Sequence, residues 1–132
     1  MKVGVPVEAH AEERRVALVP GVVSSLVKAG LDVLVERNAG VHAGFSDSAY
    51  QEQGAELVAD RAELFSSAEV LLRVRPWAAQ RDAGWADLEL LRSGQILVGL
   101  LNPLGAPQVA RTLAERNVTA FAMELIPRIS RA

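Results

Sequence analysis

Apolar residues along this chain come in short runs separated by amphipathic stretches, and the two alternate from one end to the other. Lys2 to Val5 is β-rich and stops at Pro6, which predicts a first strand. After a charged loop, Pro20 supplies a fixed φ suited to a helix start. Val22, Val23, Leu26 and Val27 then share one helical face, and Gly30 closes the helix. Val33 to Val35 is a continuous apolar run, the pattern of a strand covered on both faces. A short helix is predicted from a cap at Ser46 or Ser48 to Gly54, and another after Asp60, three residues before Glu63. Val70, Leu71, Leu72 and Val74 form a third strand, ended at Pro76. A linker with Trp77 and Trp85 leads to a helix carrying Leu88, Leu90 and Leu91, closed by Gly94. Ile96 to Leu101 is the fourth strand. Pro107 opens a helix burying Val109, Ala110 and Leu113, with Asn117 as its cap. Val118, Ala120, Phe121 and Met123 make the fifth strand, before Pro127.

Strand-length apolar runs alternating with helices imply parallel strands joined by crossovers. The expected fold is an open, Rossmann-like three-layer α/β sandwich with a mainly parallel sheet. Such sheets collect ligands at the carboxyl ends of their strands. Here those ends are Pro6 to Arg15, Ala39 to Gly44, Arg73 to Pro76, Asn102 to Gly105 and Glu124 to Arg128.

Composition narrows the function further. At 132 residues, the chain has the size of one domain. Its net charge of −2 supplies no basic field, which argues against nucleic acid as a partner. Cysteine is absent, so disulfides and thiolate metal sites are excluded, and a reducing cytoplasm suits the chain. Neither a signal peptide nor a spanning helix is readable, so any membrane work would need a partner to hold the chain there.

Several residues at the strand ends could carry chemistry. Arg14 and Arg15 sit beside Glu12 and Glu13, either as a solvated charged loop or with one arginine gripping a carboxylate or phosphate. Arg73 and Arg75 are two apart, so they either converge on one ligand or simply solvate a strand end. Gly40 to Gly44 lacks the G-x-G-x-x-G spacing, which occurs nowhere in the chain, and reads as a turn. His10 and His42 have no carboxylates at metal-ligand spacing, so no metal site is expected. Ser130 has no histidine partner in any local motif.

Three segments resemble one family: Arg14 to Pro20, Ala43 to Asp47, and above all Pro127-Arg128-Ile129-Ser130-Arg131-Ala132. The last string resembles a stretch of the first subdomain of the NAD(H)-binding α subunit of proton-translocating NAD(P) transhydrogenase. Alanine dehydrogenases share that fold and the two upstream segments. The resemblance implies hydride transfer between NAD(H) on this subunit and NADP(H) on a partner domain, coupled to proton movement through membrane-embedded subunits. It implies a complete subunit that pairs as a homodimer and lies in the cytoplasm, at the periphery of the inner or plasma membrane. Arg128 matches an arginine on a loop that contacts the nicotinamide end of NAD(H).

The alanine dehydrogenases resemble the chain at Arg15 and have a lysine at the position of Arg75, two residues that hold the substrate carboxylate in those enzymes, and they have an acid/base histidine where this chain has Asn102. Arg15, Arg75 and Asn102 are therefore candidate ligand-facing residues. An amide does not titrate near neutral pH, which favours the transhydrogenase reading. The family's glycine-rich dinucleotide domain lies downstream, so residues 1–132 are expected to be an N-terminal subdomain lacking it. Such a chain would bind NAD(H) weakly or not at all, would be inactive alone, and would leave an apolar face open. An alanine-dehydrogenase-like piece and a non-catalytic interaction module are the alternatives.

Overall fold

The computed structural model describes residues 1–77 and 83–129. Six strands form one sheet: β1 Lys2–Val5, β2 Asp32–Glu36, β3 Glu56–Val58, β4 Val70–Leu72, β5 Ile96–Gly99 and β6 Thr119–Ala122. Their order is β3-β2-β1-β4-β5-β6, and every neighbouring pair is parallel. Among the described residues, four α-helices lie in the connections: α1 Pro20–Lys28, α2 Asp47–Glu52, α3 Arg61–Ser67 and α4 Pro107–Glu115. Strand–helix alternation thus gives the Rossmann-like α/β sheet that the apolar runs predicted.

Local chemistry explains the element boundaries. Pro20 and Pro107 open α1 and α4, where a missing N–H costs nothing. Ser46 rather than Ser48 caps α2, accepting from the Ala49 amide, and Asp60 caps α3 through the Ala62 and Glu63 amides. Gly4 lets β1 lie against α3: a Cβ there would come within 2.8 Å of the Ala68 Cβ. Buried Gln95 donates to the Phe65 and Ala68 carbonyls at the end of α3, so its amide is paired inside the core.

Some sequence expectations need correction. β3 was not foreseen, because only Leu57 and Val58 of its three residues are apolar and it lies at an edge. Leu88 and Leu90 belong to a 3-10 helix, Ala83–Leu90, not to an amphipathic α-helix. Met123 starts another 3-10 turn, Met123–Leu125, just after β6 ends. Val22 and Val27 are exposed although Val23, on the same face, is fully buried; Ala110 is exposed as well. Trp77 is buried and its Nε1 donates to the Leu101 carbonyl at 2.7 Å, which settles its role as a core residue. Trp85 packs half-buried against the same core.

The two faces of the sheet are covered unequally. Leu34 packs with Leu64 of α3, while Leu71 and Leu97 pack with Phe65 of α3 and Val109 and Leu113 of α4. On the opposite face, Val5, Val33 and Val35 pack with Val23 of α1 and Tyr50 of α2. The Tyr50 hydroxyl donates to the Leu18 carbonyl at 2.7 Å. Register continues that second face across the sheet: Val35 pairs with Val5, Leu72 with Val98, and Val98 with Phe121, with Gly4–Leu71 pairing joining the two sets. Along this row, cover falls away. Val35 and Val5 are 0 % exposed, Leu72 and Val98 are half-buried, and Phe121 is 52 % exposed. Beside β6, an apolar groove of about 490 Å³ is walled by Leu113, Ala114, Ala120 and Leu125.

Candidate functional site

β1 pairs with β2 on one side and β4 on the other, so the strand order reverses around it. In open α/β sheets, ligands bind at the carboxyl rim beside such a reversal. The rim here is dense with charge. Arg61, at the start of α3, forks both oxygens of Asp87: Nε to Oδ1 at 2.9 Å and Nη2 to Oδ2 at 2.7 Å. Its Nη1 donates to Glu36 Oε2 at 2.6 Å and to the Val7 carbonyl, and Glu36 accepts from the Val7 amide. One guanidinium therefore ties the ends of β1 and β2 to the Ala83–Leu90 turn.

Arg73 lies deeper, with a side chain only 1 % exposed. Its Nη1 donates to Asp87 at 3.1 Å and its Nε to Glu8 at 3.3 Å, while Glu8 also accepts from the Arg75 amide. Arg73 Nη2 is buried without a hydrogen-bond partner. The Phe65 ring lies near two cations, 5.3 Å from Arg61 Cζ and 6.0 Å from Arg73 Cζ, and its π system offsets part of their desolvation. Behind Arg73, Gly99 allows β5 to approach: a Cβ there would stand 2.6 Å from the Arg73 carbonyl oxygen.

Arg75 points elsewhere than Arg73. β4 ends at Leu72, so strand alternation no longer aligns the two side chains. Arg75 Nη2 lies 3.2 Å from His10 Nδ1, and its Nε is 3.8 Å from Glu13 Oε1. Arg15 grips the same Glu13 carboxylate by a fork, Nε to Oε2 at 2.9 Å and Nη2 to Oε1 at 2.7 Å. The Glu13 carboxyl is held at about 2, because the hydrogen bond from Arg15 outweighs the burial that would raise it. Arg14 is exposed. A second pocket of about 360 Å³ adjoins Arg15 and is lined also by Phe45, Val74, Gly99 and Met123.

Asn102 sits in the left-handed region at φ 49. Its Oδ1 accepts from the Gly105 amide and its carbonyl from the Ala106 amide, so the residue folds the turn into α4. Glu124 braces that turn by accepting from the Leu101 and Asn102 amides. Arg128 is exposed on the segment that follows β6, and among the described residues none pairs with its guanidinium. Ser130 and Arg131 lie outside the described residues. Gly40 to Gly44 forms a tight 3-10 turn, with Gly44 at φ 90 and His42 exposed. No group of His, Cys, Asp or Glu among the described residues is placed to hold a metal.

A family model described as the N-terminal domain of alanine dehydrogenase/PNT matches residues 4–132. The chain belongs to that family. It is 41 % identical over 133 residues to a Rhodospirillum rubrum protein named as the first portion of NAD(P) transhydrogenase subunit alpha, covering 100 % of this chain and 34 % of the relative. It is 36 % identical to the alanine dehydrogenase of Bacillus subtilis, covering 96 % of this chain and 32 % of that enzyme. The solved transhydrogenase of Sinorhizobium meliloti superposes with a TM-score of 0.87 at 32 % identity, covering 99 % of this chain and 37 % of that one. The chain thus spans about a third of these relatives' length, within an oxidoreductase family. No helix among the described residues is long and apolar enough to cross a membrane.

Sequence reasoning missed Arg61, Asp87 and Glu36 as rim residues, and it gave Glu8, inside the Pro6 to Arg15 rim segment, no role of its own. One signal was available. An arginine in the first turn of a helix opposes the helix dipole, so Arg61 needs nearby anions.

Proposed function

We propose that this chain is the first subdomain of the NAD(H)-binding α subunit of a proton-translocating transhydrogenase, inactive alone. In the complete enzyme, hydride would pass between NAD(H) on this subunit and NADP(H) on a partner domain. The observation that carries the reading is the similarity along the whole chain to the Rhodospirillum rubrum subunit, together with Arg128 on the segment after β6. The residues present fit one end of a dinucleotide only. An exposed guanidinium can hold a carboxamide or phosphate oxygen and fix its approach. The chain has no G-x-G-x-x-G loop to cradle a pyrophosphate, so that role falls to a downstream domain. NAD(H), when bound, supplies the hydride; this chain's share is positioning and shielding.

The thinning cover toward Phe121 and the groove beside β6 support a subdomain completed by polypeptide beyond residue 132. Paired α subunits, held at the membrane by embedded partners, complete the proposal. Supplying the downstream domain and following hydride transfer from NADH to an NADP analogue tests it. Arg128→Ala should sharply lower the rate with the fold intact; an unchanged rate overturns the assignment of that residue.

Arg15 and Arg75 converging on one carboxylate favour a second reading, an alanine-dehydrogenase-like subdomain. Against it, Asn102 carries no titratable proton, and its Oδ1 is used within a turn. Alanine oxidation by the completed protein would revive it.

A further inference from the structure

β6 ends the sheet, and its own sequence does nothing to discourage a neighbour. Thr119, Ala120, Phe121 and Ala122 carry no charge and no proline, and all of them pair with β5 in unbroken register. The other edge differs: β3 has three residues and exposes Glu56. Charges, prolines, bulges and covering elements are how native sheets keep an edge single. β6 has no charge, proline or bulge within its length.

The free valences of this edge follow from the ladder. The Thr119 amide donates to the Gln95 carbonyl at 3.0 Å, so Thr119 and Phe121 spend their backbone groups on β5. The N–H and C=O groups of Ala120 and Ala122 therefore point away from the sheet, where no strand lies among the described residues. These two alanines stand symmetrically about Phe121, which is 52 % exposed. A strand with that spacing is complementary to itself. In an antiparallel pair about a two-fold axis at Phe121, Ala120 of one copy exchanges both hydrogen bonds with Ala122 of the other. Phe121 then faces its own counterpart in the close, non-hydrogen-bonded position, where aromatic pairs attract.

We propose that β6 is a self-pairing edge: two copies of this chain join their sheets through antiparallel β6 strands, with Phe121 on the two-fold axis. A second copy suits this edge better than a charged partner, because the strand offers no charge to read and opposes no like charges when it meets itself. Beside it, exposed Ala110 and Ala114 line the apolar groove, and their small side chains leave room for the two α4 helices to approach. One four-residue strand and a groove fall short of a standard interface, so the dimer is weak and forms in concentrated solution. The dilute chain stays monomeric, with Phe121 open. The inference asks nothing of NAD(H) or Arg128 and is independent of the transhydrogenase reading. Polypeptide settling over the groove in a complete subunit would compete with the second copy.

Sedimentation velocity of the full 132-residue chain from ~10 µM to ~1 mM should show monomer giving way to dimer. Ala122→Pro removes one outward N–H where φ is −82, close to proline's own value, so it should keep the monomer fold and weaken pairing at least about tenfold. Phe121→Lys sets like charges across the axis and should do the same. The chain has no cysteine, so Phe121→Cys reports the register. The axis pair brings its Cα atoms to about 4.5 Å, within disulfide reach. Mild oxidation should then link two copies at least about tenfold faster than with Val41→Cys, an exposed site elsewhere. A chain that stays monomeric to ~1 mM overturns the proposal. So does a dimer that survives Phe121→Lys, or one that links no faster at Phe121 than at Val41. If Ala122→Pro misfolds, Phe121→Lys, made on an exposed side chain, decides the matter.

Discussion

The guanidinium of Arg61 and the carboxylate of Asp87 meet as two parallel forks, with both nitrogen–oxygen distances below 3 Å, and Asp87 also accepts from buried Arg73. One aspartate thus partly neutralises two cations, from α3 and the end of β4. Taking it away leaves Arg73, with its side chain 1 % exposed, facing Glu8 alone.

Asp87→Ala is therefore expected to destabilise the fold by about 3–5 kcal/mol, the usual cost of stranding a buried charge. Urea denaturation would show a lower midpoint at an unchanged slope. A loss under about 1 kcal/mol would mean that water replaces the carboxylate freely.

Gly4 is the second weak point. A methyl at this position would meet the Ala68 Cβ at 2.8 Å, so Gly4→Ala should cost about 1–3 kcal/mol by overpacking. The compensating Ala68→Gly change makes room, and the double variant should recover some of that loss in thermal melts. No recovery would place the strain elsewhere.

Tyr50 is the chain's one tyrosine, so its ionisation can be read without overlap from others. Burial, helped by the charge of Asp47, pushes its hydroxyl up to about 12 from an ordinary 10. The folded chain therefore holds this proton more tightly than the unfolded chain. That contribution to stability is complete below pH 10 and is lost as pH rises toward about 12. Phenolate absorbance should appear only above about pH 11, together with loss of near-ultraviolet dichroism. A phenolate transition at 10 in the folded chain would contradict the buried hydroxyl.

How much of this was readable in advance varied with the kind of interaction. Parallel β–α alternation is written in local periodicity, and runs such as Val33 to Val35 or Leu71 and Leu72 carried it plainly. β3 carried no comparable run, because its register is set by β2 alongside rather than by its own three residues. At the rim, the strand-end rule pointed to Arg15, Arg73 and Arg75. It could not reveal that Arg73 would turn inward to Glu8 and Asp87, since those partners lie 65 and 14 residues away. Asn102 shows the same limit: its side chain closes on Gly105 in a turn that composition alone does not specify.

Val35 and Phe121 stand in the same row at different depths, and they separate packing from mere hydrophobicity. Val35→Ala should cost roughly 1.5–3 kcal/mol, the value of a fully buried aliphatic side chain. Phe121→Ala should stay within about 0.5 kcal/mol in this chain, as an exposed position does. Comparable losses at both sites would show that something already covers Phe121.

That row has a further consequence for how the native state breathes. Regions with less buried apolar area open at lower free energy, so amide hydrogens should exchange fastest from β6 and slowest from the centre at β1 and β2. The molecule then carries its own gauge of assembly: whatever settles over Phe121 will slow exchange in β6 first, and that slowing can be followed without any catalytic assay.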